Sequence, residues 1–464
     1  MKKVIAVSVR LILLLLYVLM ISACSELLDV APPNGSIVGD QPFKNIATAK
    51  ESIMGICKTM GSTPNPVCGG SILIALYSGE AVQLGTNSDQ QEFASGFISP
   101  TNGTLGTVFW MAPYKIISQI NFCIEGINNS KGIAAADKSQ LTAECRFFRA
   151  LVYFHMMNVF GAVPYITSTD YQVMQAQGRD NPDKVMDSII ADLQYAKMEL
   201  PVQYPIGYKV IANKYAAMAL LARCYLQQQK WRLAEQECKG VINSGMYQLE
   251  PLDSVFVINS KESIFQVLPQ NMSNYSMETM LIYPTNSLYP RIALSDSLIR
   301  QFDTGDQRKS HWVKTVMIDQ DTFYCPYKLK KGFRSAVDTF PIELTAVLRL
   351  SEMFLILAEC RLQQGDLAGA AANLNMVRRR AGLSAVGVET GVISADKMKS
   401  LIERERQFEF FTECGINWYD LVRSGKVDVV MAQIKKDWDS RRRLWPIPKI
   451  DLEANKNLTQ NPGY

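Results

Sequence analysis

Two segments of this chain repeat each other at a constant offset of 136 residues. Ala222 to Ala234 reads ARCYLQQQKWRLA, and Ala358 to Ala370 reads AECRLQQGDLAGA. Each segment is the end of one helix, a tight turn at Gln229-Lys230 or Gly365-Asp366, and the start of a second helix. Small residues at Ala222/Ala358 and Ala234/Ala370 let two helices approach closely. Large apolar residues precede them at Met218/Phe354 and Leu221/Leu357. This is the spacing of a tetratricopeptide unit, which buries its apolar face only by stacking on neighbours. The body is therefore predicted to be mostly helical.

Other helices are legible from caps and periodicity. Trp110-Met-Ala-Pro-Tyr114 leads into a helix over 115–127, and an aromatic-rich helix runs over 141–160 to Gly161. Asn181 caps a helix that has Pro182 in its first turn and stops before Pro201. The stretch 395–411 alternates charged and apolar residues and reads as a helix with one wet face. The basic triplet Arg378-Arg379-Arg380 before Gly382 reads as helix-end chemistry rather than an anion site. By contrast, 61–108 and 245–345 are rich in Gly, Ser, Asn, Thr and Pro with scattered aromatics, and loops of that length are usually functional. Strand-like pieces occur there at 264–268 and 311–318.

The N-terminus reads as an address. Lys2, Lys3 and Arg10 precede an eleven-residue apolar run, Leu11 to Ile21, followed by Ser22-Ala23-Cys24. Charge, a short apolar stretch and small residues make a secretory signal over 1–23. Ile21-Ser22-Ala23-Cys24 resembles a bacterial lipobox, so Cys24 is expected to be acylated and to become the mature N-terminus. Without residues 1–23 the balance is 45 basic against 44 acidic residues. A nearly neutral body lacks the basic footprint that nucleic acid requires. Nine cysteines remain after Cys24, an odd number with no C-x-x-C. Cys57 and Cys68, flanking a Pro-rich turn, are a candidate pair in an oxidising compartment.

Motifs for chemistry are missing from the sequence. It contains no G-x-S-x-G, H-E-x-x-H, P-loop or G-x-G-x-x-G. Of the two histidines, His155 lies in the aromatic helix as a core group and His311 lies in a loop region where it can touch ligand. Glu403, Glu405 and Glu409 alternate with arginines as a salt-bridged face rather than a glycosidase pair. Asp319 and Asp321 are a weak calcium signal. The expectation is a non-enzyme with no cofactor and no metal site.

Seven blocks in order resemble the SusD/RagB family of Bacteroidetes nutrient-binding lipoproteins. They are Cys24-Ser-Glu-Leu-Leu-Asp29-Val-Ala-Pro32, Trp110-x3-Tyr114-x6-Asn121, and Arg146-Phe-Phe-Arg149 running to Phe160-Gly161-Ala-Val-Pro164. Leu221-Ala-Arg223 and Arg349-x-Ser-Glu352 to Ala358-Glu359 follow. Then come Glu403-Arg-Glu-Arg406-x-x-Glu409 with Trp418-Tyr-Asp420-Leu421-Val-Arg423, and finally Pro446-Ile-Pro448 to Asn461-Pro462-Gly463-Tyr464. Where the family often has Gly-His-Arg-Trp, this chain has Gly415-Ile416-Asn417-Trp418, which removes any polar contact of the His-Arg pair.

The resemblance implies about four tetratricopeptide-like helix pairs in a right-handed superhelical scaffold, with a loop-rich region containing short β-strands. An N-terminal region, 24–245, and a C-terminal region, 246–464, would pack as one body. It also implies a lipid-anchored protein on the extracellular face of the outer membrane. Its partner would be a SusC-like TonB-dependent barrel, and its ligand an oligosaccharide, with peptide as the alternative. A helical-repeat scaffold for other proteins is a further alternative.

A sugar ring offers a C–H face to a flat aromatic and a rim of hydroxyls to amides. The candidate ligand residues are therefore aromatics outside clear helices, with polar neighbours: Phe93, Phe97, Asn102, Tyr275, Tyr283, Tyr289, Trp312 and Tyr324. Most weight falls on 85–102 and 274–291.

Overall fold

The computed structural model describes residues 41–269, 276–283, 289–330, 341–387 and 393–464. Helices of eight residues or more are α1 (Ile46–Ser62), α2 (Gly70–Ser78), α3 (Ser88–Ser95), α4 (Ala112–Asn129), α5 (Ala135–Phe160) and α6 (Pro182–Glu199). They continue as α7 (Lys214–Gln227), α8 (Trp231–Ile242), α9 (Leu350–Gln363), α10 (Leu367–Arg380), α11 (Ala395–Phe410), α12 (Ile416–Arg423) and α13 (Val427–Ile434). The duplicated segments fold as the hairpins α7–α8 and α9–α10. The chain stacks serially: α4 on α5, α5 on α6, α6 on α7, α7 on α8, α8 on α9 and α9 on α10, with α11 against α9 and α10. The fold is mostly α, built from tetratricopeptide-like helix pairs.

Buried ion pairs bolt successive helices together, and they are made by the motif residues. Arg149 on α5 grips Asp192 on α6 at 2.7 and 2.8 Å and donates to Asn121 Oδ1 on α4 at 3.0 Å. Arg223 on α7 reaches Glu352 on α9 at 2.9 and 2.6 Å. Arg423 on α12 spans Glu359 on α9 and Asp420 on its own helix, and Asp420 also accepts from Arg406 at 2.6 Å. Each is costly to break from one side, because the partner charge stays buried.

Among the described residues, six short strands form three antiparallel pairs: β1 (Ala81–Gln83) with β3 (Ile292–Leu294), β2 (Ser263–Val267) with β6 (Thr345–Arg349), and β4 (Val313–Ile318) with β5 (Asp321–Pro326). Asp319, at φ +54°, and Gln320 make the tight turn of the β4–β5 hairpin. The main core runs from Phe43 to Ile447 and draws on both halves of the chain. A smaller core gathers Leu252, Phe256, Leu298, Phe302, Trp312, Phe408 and Phe411.

Three expectations change. The segment 311–318 is not one strand: Gln307–Trp312 is a short helix capped by Asp306, and only Val313 onward is extended. Cys57 and Cys68 are both free and buried. Asn417 makes polar contacts of its own, donating to Glu80 Oε1 and to the Gln407 carbonyl at 3.1 Å. Helix α11 keeps a wet face at Asp396, Lys397, Lys399 and Arg404, but its other charged face, Glu405, Arg406 and Glu409, is buried.

The burial of that face has a clear cause. The loop region folds down over α11 and brings countercharges with it. Arg308 meets Glu405 at 2.7 Å and Glu409 at 3.1 Å. Arg349 meets Glu262 at 2.9 Å and Glu413 at 2.8 Å, and also pairs with Glu409. Arg378 and Arg380 at the end of α10 pair with Glu405 and with Glu262 and Glu409, so two of the three residues of the basic triplet belong to this network while Arg379 faces outward. Burial alone would raise the Glu409 carboxyl, but Arg380, Arg349 and Arg308 outweigh it and hold it well below the usual range. His155 is a neutral core group: burial, then Arg223, pushes it down to about 3, and its Nδ1 lies 3.0 Å from the Tyr419 hydroxyl.

Candidate ligand-binding surface

The two loop regions singled out in the sequence meet in space. Strand β1 pairs with β3 in the register Ala81↔Leu294, Val82↔Ala293, Gln83↔Ile292. The N–H groups of Leu84 and Gly85 then donate to the Arg291 carbonyl at 2.7 and 3.2 Å. The start of 85–102 therefore lies against the end of 274–291, and β5 packs beside β3.

Local geometry decides which aromatics reach the surface. Asn87 caps α3 by accepting from the Gln90 N–H at 2.9 Å. Gly96, at φ +79°, ends the helix, its N–H bonding the Phe93 carbonyl at 3.1 Å while the Phe97 N–H bonds the Glu92 carbonyl at 3.3 Å. That double closure is a Schellman motif, and it turns the chain sharply. Phe93 stays inside against Phe109 and Trp445. Phe97 emerges 44% exposed. Its ring lies nearly parallel to Tyr464, with centroids 6.1 Å apart, and the Arg442 guanidinium sits 4.8 Å from its centroid. Tyr289, beside the β1–β3 junction, is 55% exposed.

The other candidates divide in the same way. Tyr283 is half-buried at the end of the short helix Met277–Ile282; burial, and then the Cys325 thiol, pushes its hydroxyl up. Tyr324 is half-buried opposite Thr315 on the β4–β5 hairpin. Tyr327, three residues on, has the Lys314 and Lys330 ammoniums 5.6 and 5.4 Å from its ring centroid. His311 is partly exposed, its Nδ1 2.9 Å from Asp253, which also pairs with Lys330. Cys24 and Tyr275 lie outside the described residues.

Three candidates are corrected. Trp312 is 0% exposed. Its indole N–H donates to the Leu252 carbonyl at 3.0 Å, and its ring is faced by Lys328, Arg349 and Arg380. It has no open face for a sugar. Phe93 is buried under its loop. Asn102 is a brace: its amide donates to the Asp89 carbonyl at 3.1 Å and to Glu92 at 2.7 Å, and its oxygen accepts from the Leu105 N–H at 2.8 Å. Sequence reasoning missed Arg442 and Tyr464, because only the tertiary fold brings the C-terminus to Phe97.

Among described residues, no group of three or more His, Cys, Asp or Glu side chains could hold a metal. No described helix is long and apolar enough to cross a membrane. A family model described as SusD-like, starch-binding associating with outer membrane, matches residues 82–226, and the SusD family model matches residues 317–464. The chain belongs to the SusD/RagB family. SusD-like protein P2 of Formosa agariphila is 25% identical, covering 95% of this chain and 97% of its own length. Starch-binding protein SusD of Bacteroides thetaiotaomicron is 24% identical, covering 82% of each chain. A SusD-superfamily crystal structure from Bacteroides vulgatus superposes with a TM-score of 0.79 at 19% identity, covering 91% of this chain and all of that one. A laminarin-binding SusD-like protein superposes at 0.73 with 24% identity, covering 91% and 100%. At those identities the superpositions speak for the fold.

Proposed function

We propose that this SusD/RagB protein is a lipid-anchored outer-membrane protein that binds oligosaccharide at the extracellular face. It delivers the ligand to a SusC-like TonB-dependent barrel and performs no chemistry on it. The observation that carries the reading is the set of open aromatics on the two loop regions, which join where Leu84 and Gly85 meet Arg291. Phe97 and Tyr289 stand exposed, and Tyr283, Tyr324 and Tyr327 are half-buried. The relatives named as starch-binding and laminarin-binding support a glycan, and so does the near-neutral body. The regions 24–245 and 246–464 would act as one body, with Cys24 carrying the acyl chains.

Two measurements test it. Stacking on one aromatic face is worth about 1 kcal/mol, by analogy with aromatic pairs. The double variant Phe97→Ala/Tyr289→Ala should therefore weaken binding of starch or laminarin oligosaccharides roughly 30-fold by calorimetry. Its melting temperature should hardly move, since both rings are exposed. Wild-type affinity in the folded double variant would place the ligand elsewhere. For the anchor, Cys24→Ala should abolish acylation of the N-terminal peptide by mass spectrometry and release the protein from the outer-membrane fraction. An unacylated wild-type peptide would remove the lipoprotein assignment, and repeated purification from native membranes without a barrel would remove the transport role.

A further inference from the structure

A groove of about 610 Å³ opens on the helical scaffold and reaches, at Ser78–Glu80 and Ser295–Gln301, the ends of the β1–β3 pair, while none of the exposed or half-buried aromatics of the loop surface lines it. Its walls come from the α7–α8 turn, the end of α9, and α11, α12 and α13. The volume lies within the ordinary range of ligand sites. Most of its charges are paired: Arg423 on Glu359 and Asp420, Arg406 on Asp420, Lys426 on Glu403 and Arg404 on Asp303, with Lys399 the further cation in its lining. What the groove offers beyond these pairs is largely amide and hydroxyl, from Gln229, Gln363, Gln407 and Gln433 with Ser297 and Ser400. Half-buried Trp231 lines it as well.

The internal repeat shows that this wall departs from what the fold alone would choose. The equivalent turns are Gln229-Lys230-Trp231 and Gly365-Asp366-Leu367. In the second copy each residue serves the hairpin. Gly365 takes the left-handed backbone at φ +83°, and Asp366 caps α10 by accepting from the Gly369 N–H at 2.7 Å. In the first copy Gln229 is forced into the same left-handed conformation, at φ +56°, where a side chain is strained. Lys230 gives α8 no side-chain cap. Trp231 stands where leucine suffices. Local rules broken in succession at one cleft are the mark of a functional site.

We propose that this groove is a second binding site, for a short uncharged oligosaccharide, with Trp231 covering a ring face and the glutamine amides, Gln229 first, bonding its hydroxyls. The ligand class rests on the glycan reading above; the site does not.

The test grafts the second turn onto the first. Gln229→Gly/Lys230→Asp/Trp231→Leu should keep or raise the melting temperature, because it relieves the left-handed glutamine and restores a cap. The same variant should lose at least tenfold of affinity at one class of sites when the detergent-solubilised full chain is titrated with maltohexaose and laminarihexaose. Phe97→Ala/Tyr289→Ala should weaken the other class. If the graft fails to fold, Ser400→Arg fills the groove from an exposed position on α11 and should give the same loss. A folded graft with an unchanged isotherm overturns the groove and leaves the loop surface standing. Loss of all binding in the graft and none in the aromatic variant keeps the groove and removes the loop placement. A wild-type protein that binds neither sugar overturns both.

Discussion

Arg349→Ala is expected to destabilise the fold by about 3–5 kcal/mol in denaturant melts, the loss typical of removing one partner from a buried charge cluster. Arg349 Nε and Nη2 donate to Glu413 at 2.8 and 3.0 Å, Nη1 donates to Glu262 at 2.9 Å, and Nη2 donates to the Glu409 carbonyl at 2.7 Å. Without the guanidinium, these buried carboxylates face one another with fewer countercharges. The effect carries a pH signature. Glu409 is held below its ordinary value by the arginines, so its contribution is complete above the unfolded pKa of about 4.3 and is lost as pH falls toward the depressed folded value. The gap between wild type and variant should narrow on acidification. A variant as stable as wild type at neutral pH would show that the network holds nothing together.

Trp312→Ala is expected to cost about 3–5 kcal/mol as a core deletion, and to leave ligand affinity unchanged in the protein that remains folded. The sequence reading expects the opposite, a stable protein that has lost its ligand. The structure reverses it because the indole is sealed beneath Lys328, Arg349 and Arg380 and packs against Phe256 and Phe411. Truncation opens a cavity next to the ionic network and orphans the Leu252 carbonyl. An unaltered melt with lost binding would return Trp312 to the ligand surface.

These two residues mark where sequence reasoning runs out. Trp312 sits in a stretch, Arg308 to Ile318, whose mixed charged and apolar residues read equally well as a surface strand, so the local sequence does not show that it is buried. Its partners, Leu252 and Phe411, are 60 and 99 positions away in the sequence. The alternating charges of α11 have the pattern of a solvated helix. The burial of Glu405 and Glu409 depends on Arg308 from the loop region and Arg349 from the end of β6, an arrangement no helical period encodes.

What rests on short-range physics could be read directly along the chain. Helix pairs follow from apolar spacing and from small residues at the crossing points of 222–234 and 358–370. Helix ends follow from caps such as Asn181, which accepts from the Asp183 N–H at 2.8 Å. Family membership followed from ordered blocks whose buried pairs, Arg149–Asp192 and Arg223–Glu352 among them, hold the stack. Tertiary structure alone decided which aromatics are available. Phe93 and Phe97 are four residues apart in the same sequence texture, yet a left-handed glycine between them sends one into the core and the other to the surface. Exposure is settled by what packs over a residue from far along the chain, and that information is non-local.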